Sequence, residues 1–134
     1  MSEECRRSIP DRTLMVRNVR ESWINRQTGR VKKDAFIPRR NGRDEDGLSV
    51  SQPGGDSREQ LKQRLGNPQE WSFCALAAGG IRGIHEQTTD LEVCPSATER
   101  DPFHALITGV PTSPDQKALA TRLAQRLAAI STPY

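Results

Sequence analysis

The segment from Ser113 to Ile130, SPDQKALATRLAQRLAAI, leaves this chain few ways to fold. Leu119, Leu123 and Leu127 recur every fourth residue, with Ala120, Ala124 and Ile130 beside them, while Lys117 and Arg126 fall outside the stripe. This spacing predicts an amphipathic helix with one apolar stripe. Ser113 and Gln116 match a capping box, and Pro114 sits at the first helical position, where its missing N–H costs nothing. Such a helix needs a second layer to cover its stripe. The tail, Ser131 to Tyr134, is expected to fray.

Strands supply that layer. Trp71 to Ala77, WSFCALA, is apolar on both faces and reads as a buried strand stopped by Gly79-Gly80. Val31, Ala35 and Ile37 recur with period two, so 31–37 reads as a strand closed by Pro38. Leu48 and Val50 alternate with Ser49 and Ser51, which predicts a strand over 48–52. These two are expected to form a hairpin with a long charged tip, RRNGRDEDG, holding Asn41-Gly42 and Asp46-Gly47. Leu91 to Val93 and Phe103 to Thr108 read as further strands. After the break SQPGGD, Ser57 and Gln60 cap a short helix that carries Leu61 and Leu65 and ends at Gly66-Asn67-Pro68. Leu14, Met15, Val16 and Val19 form an apolar group, with Trp23 anchoring the segment to the core. Residues 1–13 are charged, aperiodic and contain Pro10, and read as a flexible N-terminal arm. The expected architecture is one α+β domain over 14–134. It has two layers: a small, mostly antiparallel sheet with the C-terminal helix and one shorter helix packed on it.

Composition narrows the function. At 134 residues the chain fits one domain, and with 34% hydrophobic and 4% aromatic residues its core must be lean. The charge-free run Trp71–Ile81 is too short to cross a bilayer, so no membrane partner is expected. The first residues lack the apolar stretch of a secretory leader, and cytoplasmic residence is the expectation. Cys5, Cys74 and Cys94 are odd in number and widely spaced, without C-x-x-C, which argues against a disulfide framework or a zinc site. Cys74 reads as a small core residue. The net charge of +3 is uneven: residues 1–50 hold twelve Lys+Arg against eight Asp+Glu, and 51–134 hold eight against nine. An arginine-rich excess suits phosphate or carboxylate contact, but also occurs in proteins that touch no nucleic acid.

Several short motifs occur together: Trp23, Ala35-Phe36-x-Pro38, Leu48-Ser49-Val50, Asp101-Pro102-x-His104-Ala105-x-Ile107, and an alanine-rich last helix. In these the chain resembles a loose family of short bacterial proteins, sometimes encoded among mobile or defence genes. The resemblance covers about residues 20–130. It implies that the Ala-Phe-x-Pro and His-Ala-x-Ile segments belong to one scaffold, and it brings no activity, cofactor or catalytic residue.

Two features could carry chemistry. Arg39, Arg40 and Arg43 are candidate anion-binding residues at the charged tip. Asp44, Glu45 and Asp46 beside them would compensate their charge, so the alternative is a solvated turn. His104 shares a strand face with Leu106 and Thr108, opposite Ala105 and Ile107. There it is either a general acid or base, or a half-buried histidine bonded to a backbone carbonyl. His85, after a glycine turn, reads as an exposed loop residue. His104 with Ser49 and the arginines would unite a proton-transfer group, a hydroxyl and anion donors, a set suited to phosphoester chemistry. P-loop, H-E-x-x-H and G-x-S-x-G motifs are absent, and no metal or other cofactor is expected. Two functional classes follow. One is a small accessory module that docks on a protein partner, on nucleic acid or on a second copy of itself, through the basic hairpin and N-terminal arm. The other is a small toxin-like phosphoesterase or nucleotide transferase that uses His104, with Ser49 and the arginines.

Overall fold

The computed structural model describes residues 2–39, 44 and 46–134. Along the chain run α1 (Ser2–Ser8), β1 (Leu14–Arg20), a ribbon of β2 (Ile24–Asn25) and β3 (Arg30–Val31), β4 (Leu48–Ser51), α2 (Arg58–Arg64) and β5 (Trp71–Ala77). There follow α3 (Ala78–Arg82), a ribbon of β6 (His85–Glu86) and β7 (Thr89–Asp90), β8 (Glu92–Pro95), β9 (His104–Thr108), α4 (Lys117–Ile130) and β10 (Thr132–Pro133). Six strands make one antiparallel sheet in the order β10-β5-β1-β4-β9-β8. The fold is α+β, as expected.

β1 is the spine of the sheet. It pairs with β5 along its whole length, from Leu14 opposite Ala77 to Arg20 opposite Trp71. Its pairing with β4 is confined to Val16 and Ser51. Alternation along β1 sends Met15 and Val19 into the main core beneath α4, where Leu123, Ala124 and Leu127 pack with Phe36, Val50, Cys74, Leu76 and Ile107. Val16, Phe73 and Ala75 belong to a smaller cluster with Leu61 of α2. The shorter helix therefore lies on the other side of the sheet from α4, and the expected two layers are three. The capping box of α2 is present: Ser57 Oγ accepts from the Gln60 N–H, and Gln60 Oε1 accepts from the Ser57 N–H.

Several expectations are corrected. Residues 31–37 are not a strand: after Arg30–Val31 the chain makes a 3-10 turn, Lys33–Phe36, which buries Ala35 and Phe36. The turn buries the adjacent Ala35 and Phe36 and leaves Ile37 exposed, and the Ala35 carbonyl is satisfied by the Arg17 side chain rather than by a ladder. The expected hairpin is therefore absent among the described residues, and β4 pairs with β1 and β9. Asn41-Gly42, Arg40, Arg43 and Glu45 lie outside the described residues. Gly47, with φ of +142°, sits so close to β9 that a Cβ there would meet the Ile107 carbonyl oxygen at 2.7 Å. At the last helix, Ser113 does not cap through Gln116. Its hydroxyl bonds Asp115, a 3-10 turn spans Pro114–Gln116, and α4 begins at Lys117. The tail does not fray: Thr132 and Pro133 pair with Ala75 and Cys74, and the Tyr134 N–H donates to the Phe73 carbonyl at 3.0 Å. β5 gains an outer partner by this arrangement.

Nor are residues 2–13 a loose arm. Ile9 is buried, and the Ala78 and Gly79 N–H groups donate to the carbonyls of Thr13 and Asp11 at 2.9 and 2.7 Å. The buried Arg82 guanidinium donates to the Ile9 carbonyl at 2.7 Å, to Asp11 at 2.8 Å and to the Val93 carbonyl at 3.0 Å, and it pairs with Glu92. A disulfide joins Cys5 of α1 to Cys94 of β8 across a sequence separation of 89. The sequence argument against a disulfide fails because linear spacing is silent about which cysteines the fold brings together. Cys74 is a core residue as expected, and burial pushes its thiol up to about 12.

Closing so long a loop should stabilise the fold by about 2–4 kcal/mol. Equilibrium unfolding with and without dithiothreitol should show that difference, and a negligible one would mean the bond constrains little. Because its pKa lies far above 8, Cys74 should resist iodoacetamide at pH 8 in the native, non-reduced protein. One thiol should then react once the chain is unfolded in denaturant.

Candidate anion-binding cleft

α2 covers the half of its sheet face formed by β1 and β5, through Leu61 against Val16, Phe73 and Ala75. At seven residues it stops short of the half formed by β4 and β9. There a cleft of about 430 Å³ opens, with Ser49 and Ser51 of β4 and His104 of β9 along it. Arg17, Arg39, Arg64, Arg100, Asp44 and Asp101 also line it, so among the described residues arginines outnumber aspartates four to two.

Arg64, near the end of α2, builds one wall. It donates to Asp56 at 2.9 Å, Asp101 at 2.5 Å, the Ser51 hydroxyl at 2.8 Å and the Gln52 carbonyl at 2.7 Å. Its guanidinium also lies 5.3 Å from the Phe103 ring centroid. Burial works to lower its pKa, but the bonds to Asp56 and Asp101 outweigh this, and the net direction is up. Asp101 is buried, and its carboxylate also accepts the Phe103 N–H at 3.0 Å, an Asx turn that shapes the loop before β9. Arg64 is thus committed to joining α2, β4 and the β8–β9 loop.

His104 sits opposite Ser51 on β4. Its Nδ1 lies 2.8 Å from the Ser96 carbonyl oxygen. A carbonyl only accepts, so Nδ1 carries the proton in the neutral ring and Nε2 keeps the free lone pair. Both sequence readings of this residue meet here: it is held by a backbone carbonyl, and it lines the cleft. Ser49 is exposed and pairs with Leu106, which makes it a diagonal neighbour of His104. Diagonal Cβ atoms are roughly 7 Å apart, and no hydrogen bond joins the two side chains. Ser49 and His104 therefore share a surface without forming a nucleophile–base pair.

Arg17 is buried where β1 and β4 part. Its Nε donates to the Ala35 carbonyl and its Nη1 to the Ser49 carbonyl, each at 2.7 Å. Burial lowers its pKa and the nearby Asp44 opposes this. Asp44 is itself buried, and accepts the Arg39 backbone N–H at 2.6 Å. The guanidinium groups of Arg39 and Arg100 are exposed, with no hydrogen bond or ion pair among the described residues.

Of the expected site residues, His104, Ser49 and Arg39 come together; Arg40 and Arg43 lie outside the described residues. His85 is exposed, with its Nδ1 2.7 Å from Asp90, and stands apart from the cleft. Sequence reasoning missed Arg17, Arg64 and Arg100. For Arg17 a signal existed: period two places it on the same face as Met15 and Val19, an arginine on a core-facing edge. Arg100 belongs to a loop whose path is not readable from pattern. No protein-family model matches the chain, and neither a curated protein nor a solved structure is detectably similar to it.

Removing Arg64 would strand the buried Asp101. Arg64→Ala should cost about 3 kcal/mol in denaturant unfolding, against less than about 1 kcal/mol for the exposed Arg100→Ala. Similar values for the two would mean that Arg64 does not hold the cleft together.

Proposed function

We propose that the chain binds a phosphate-bearing ligand in the cleft between α2, β4 and β9. One observation carries the reading: His104, Ser49 and Arg39, from separate parts of the chain, line one concave surface whose arginines exceed its aspartates. Two of those arginines, Arg39 and Arg100, are exposed and uncommitted among the described residues, so their planar donors can meet an anion. Recognition of a phosphorylated small molecule or nucleic acid end fits this surface better than docking by an N-terminal arm, because residues 2–8 are helical and Cys5 is bonded to the sheet. Disulfides are rare in the cytosol, which weighs against the cytoplasmic residence expected from sequence. Among the described residues no helix is long and apolar enough to cross a membrane.

A second reading, phosphoester cleavage, is favoured by the tautomer of His104. With Nδ1–H engaged, Nε2 can take a proton from a water that attacks phosphorus; as the new P–O bond forms, the bond to the leaving oxygen breaks and that oxygen takes a proton from solvent, while the arginines hold the equatorial oxygens. Water is the natural nucleophile because Ser49 is not bonded to His104.

Calorimetric titration at low salt should show ribose 5-phosphate binding and ribose failing to bind. The double variant Arg39→Ala/Arg100→Ala should weaken that binding at least tenfold with its thermal unfolding unchanged. Equal behaviour of sugar and sugar phosphate, or an indifferent double variant, would refute the cleft. For the second reading, His104→Ala should reduce hydrolysis of bis(p-nitrophenyl) phosphate by about 10²-fold or more and leave ribose 5-phosphate affinity within about threefold. If the wild type shows no hydrolysis, binding alone remains.

A further inference from the structure

A second cavity, of about 800 Å³, adjoins the first, and Asn18 and Arg39 line both. Its character is different. Trp23 and Trp71 form it with Ile37, Pro38 and Arg20, and Ile37 is 37% exposed. The two indoles stand 6.3 Å apart between centroids, tilted by 59°. Arg20 lies over both, at 5.6 Å from the Trp23 ring and 5.1 Å from the Trp71 ring. Arg20 is exposed and makes no ion pair among the described residues. A guanidinium held over indole rings can offer its planar, weakly hydrated cation to a further ring. Apolar walls, a planar cation and two aromatic rings together suit a planar, electron-rich heterocycle, which nucleobases provide.

We infer that this second cavity is a base-stacking subsite, and that the ligand of the joined clefts is a nucleoside monophosphate. The inference rests on the phosphate reading of the first cleft and names its substrate class. Arg39 stands on the boundary, where it can reach a phosphate on one side while the base lies against Arg20 and the tryptophans on the other. Asp34, which lines the second cavity, repels the charged end and so orients the nucleotide. The cavity volume falls in the range of small-molecule sites.

Trp23 and Trp71 are the chain's two tryptophans, so intrinsic fluorescence reports on this subsite directly. The experiment titrates the full chain with AMP, as 5′ and 3′ isomers, and with ribose 5-phosphate. At least one AMP isomer should quench the tryptophans and bind about tenfold or more tighter than ribose 5-phosphate. Arg20→Ala should bring AMP down to the affinity of ribose 5-phosphate without moving the latter. Arg20→Lys should do nearly the same, since it keeps the charge and loses the flat face. If AMP and ribose 5-phosphate bind equally and the tryptophans stay unquenched, the subsite is overturned and the phosphate cleft stands. If neither ligand binds, the cleft reading falls and takes the subsite with it. Binding of an adenylate hexanucleotide without binding of either AMP isomer would overturn the mononucleotide in favour of a single strand.

Discussion

The arrangement depends on a buried charge in the middle of the sheet. β1 and β4 are sheet neighbours, yet they pair only at Val16 and Ser51. Beyond that point ladder hydrogen bonds give way to one side chain: the Arg17 guanidinium satisfies the carbonyls of Ala35 and Ser49 and lies 5.7 Å from the Phe36 ring centroid. An unpaired charge there would cost several kcal/mol; hydrogen-bonded, with Asp44 nearby, it holds the sheet open. The opening lets the Lys33–Phe36 turn tuck under α4, and it keeps Arg17 on the lining of the cleft.

What the sequence made legible follows from where local pattern decides. WSFCALA is a strand over the residues expected, an apolar run of strand length, though Gly79-Gly80 lie within α3 rather than in a break after it. The Ser57 capping box is present as expected, joining partners three residues apart. The alternation in FHALIT is present too, with Ala105 and Ile107 buried and His104 half-exposed. Most of the failures are long-range; the local one is Ser113, whose hydroxyl bonds Asp115 instead of capping through Gln116. Val31, Ala35 and Ile37 satisfied a strand period, but a side chain 18 residues away took the carbonyl that a strand would have used. Cys5 and Cys94 are joined across 89 residues, and no spacing rule reaches that far. Of the candidate site, the proton-transfer group, the hydroxyl and one arginine were readable. The residues that shape the cleft were not, because Arg64 and Asp101 matter through each other.

Arginine has three roles here, separated by burial rather than by sequence context. Arg17 and Arg82 are buried and serve backbone carbonyls, standing in for absent ladder bonds. Arg64 is largely covered and gathers two carboxylates, a hydroxyl and a carbonyl, so its donors are spent on structure. Arg20, Arg39 and Arg100 are exposed, and all three border the two adjoining cavities. Net charge alone weights these groups equally. Only the last set contributes field and donors to a ligand, since charges already matched in a covered network are compensated locally.

The same distinction applies to Asp44, one of the acids beside the arginine tip. Asp44 is turned inward: it is buried, receives the Arg39 backbone N–H, and its charge acts on Arg17. It therefore offsets the cation that holds the sheet open and leaves the Arg39 guanidinium, at the boundary of the two cavities, uncommitted among the described residues. On the other wall Asp101 is consumed by Arg64 in the same way. Among the described residues, both carboxylates lining the cleft are held by arginines or backbone of the scaffold, and Arg39 and Arg100 keep free donors there, so a chain with nearly balanced charge can present a locally cationic surface.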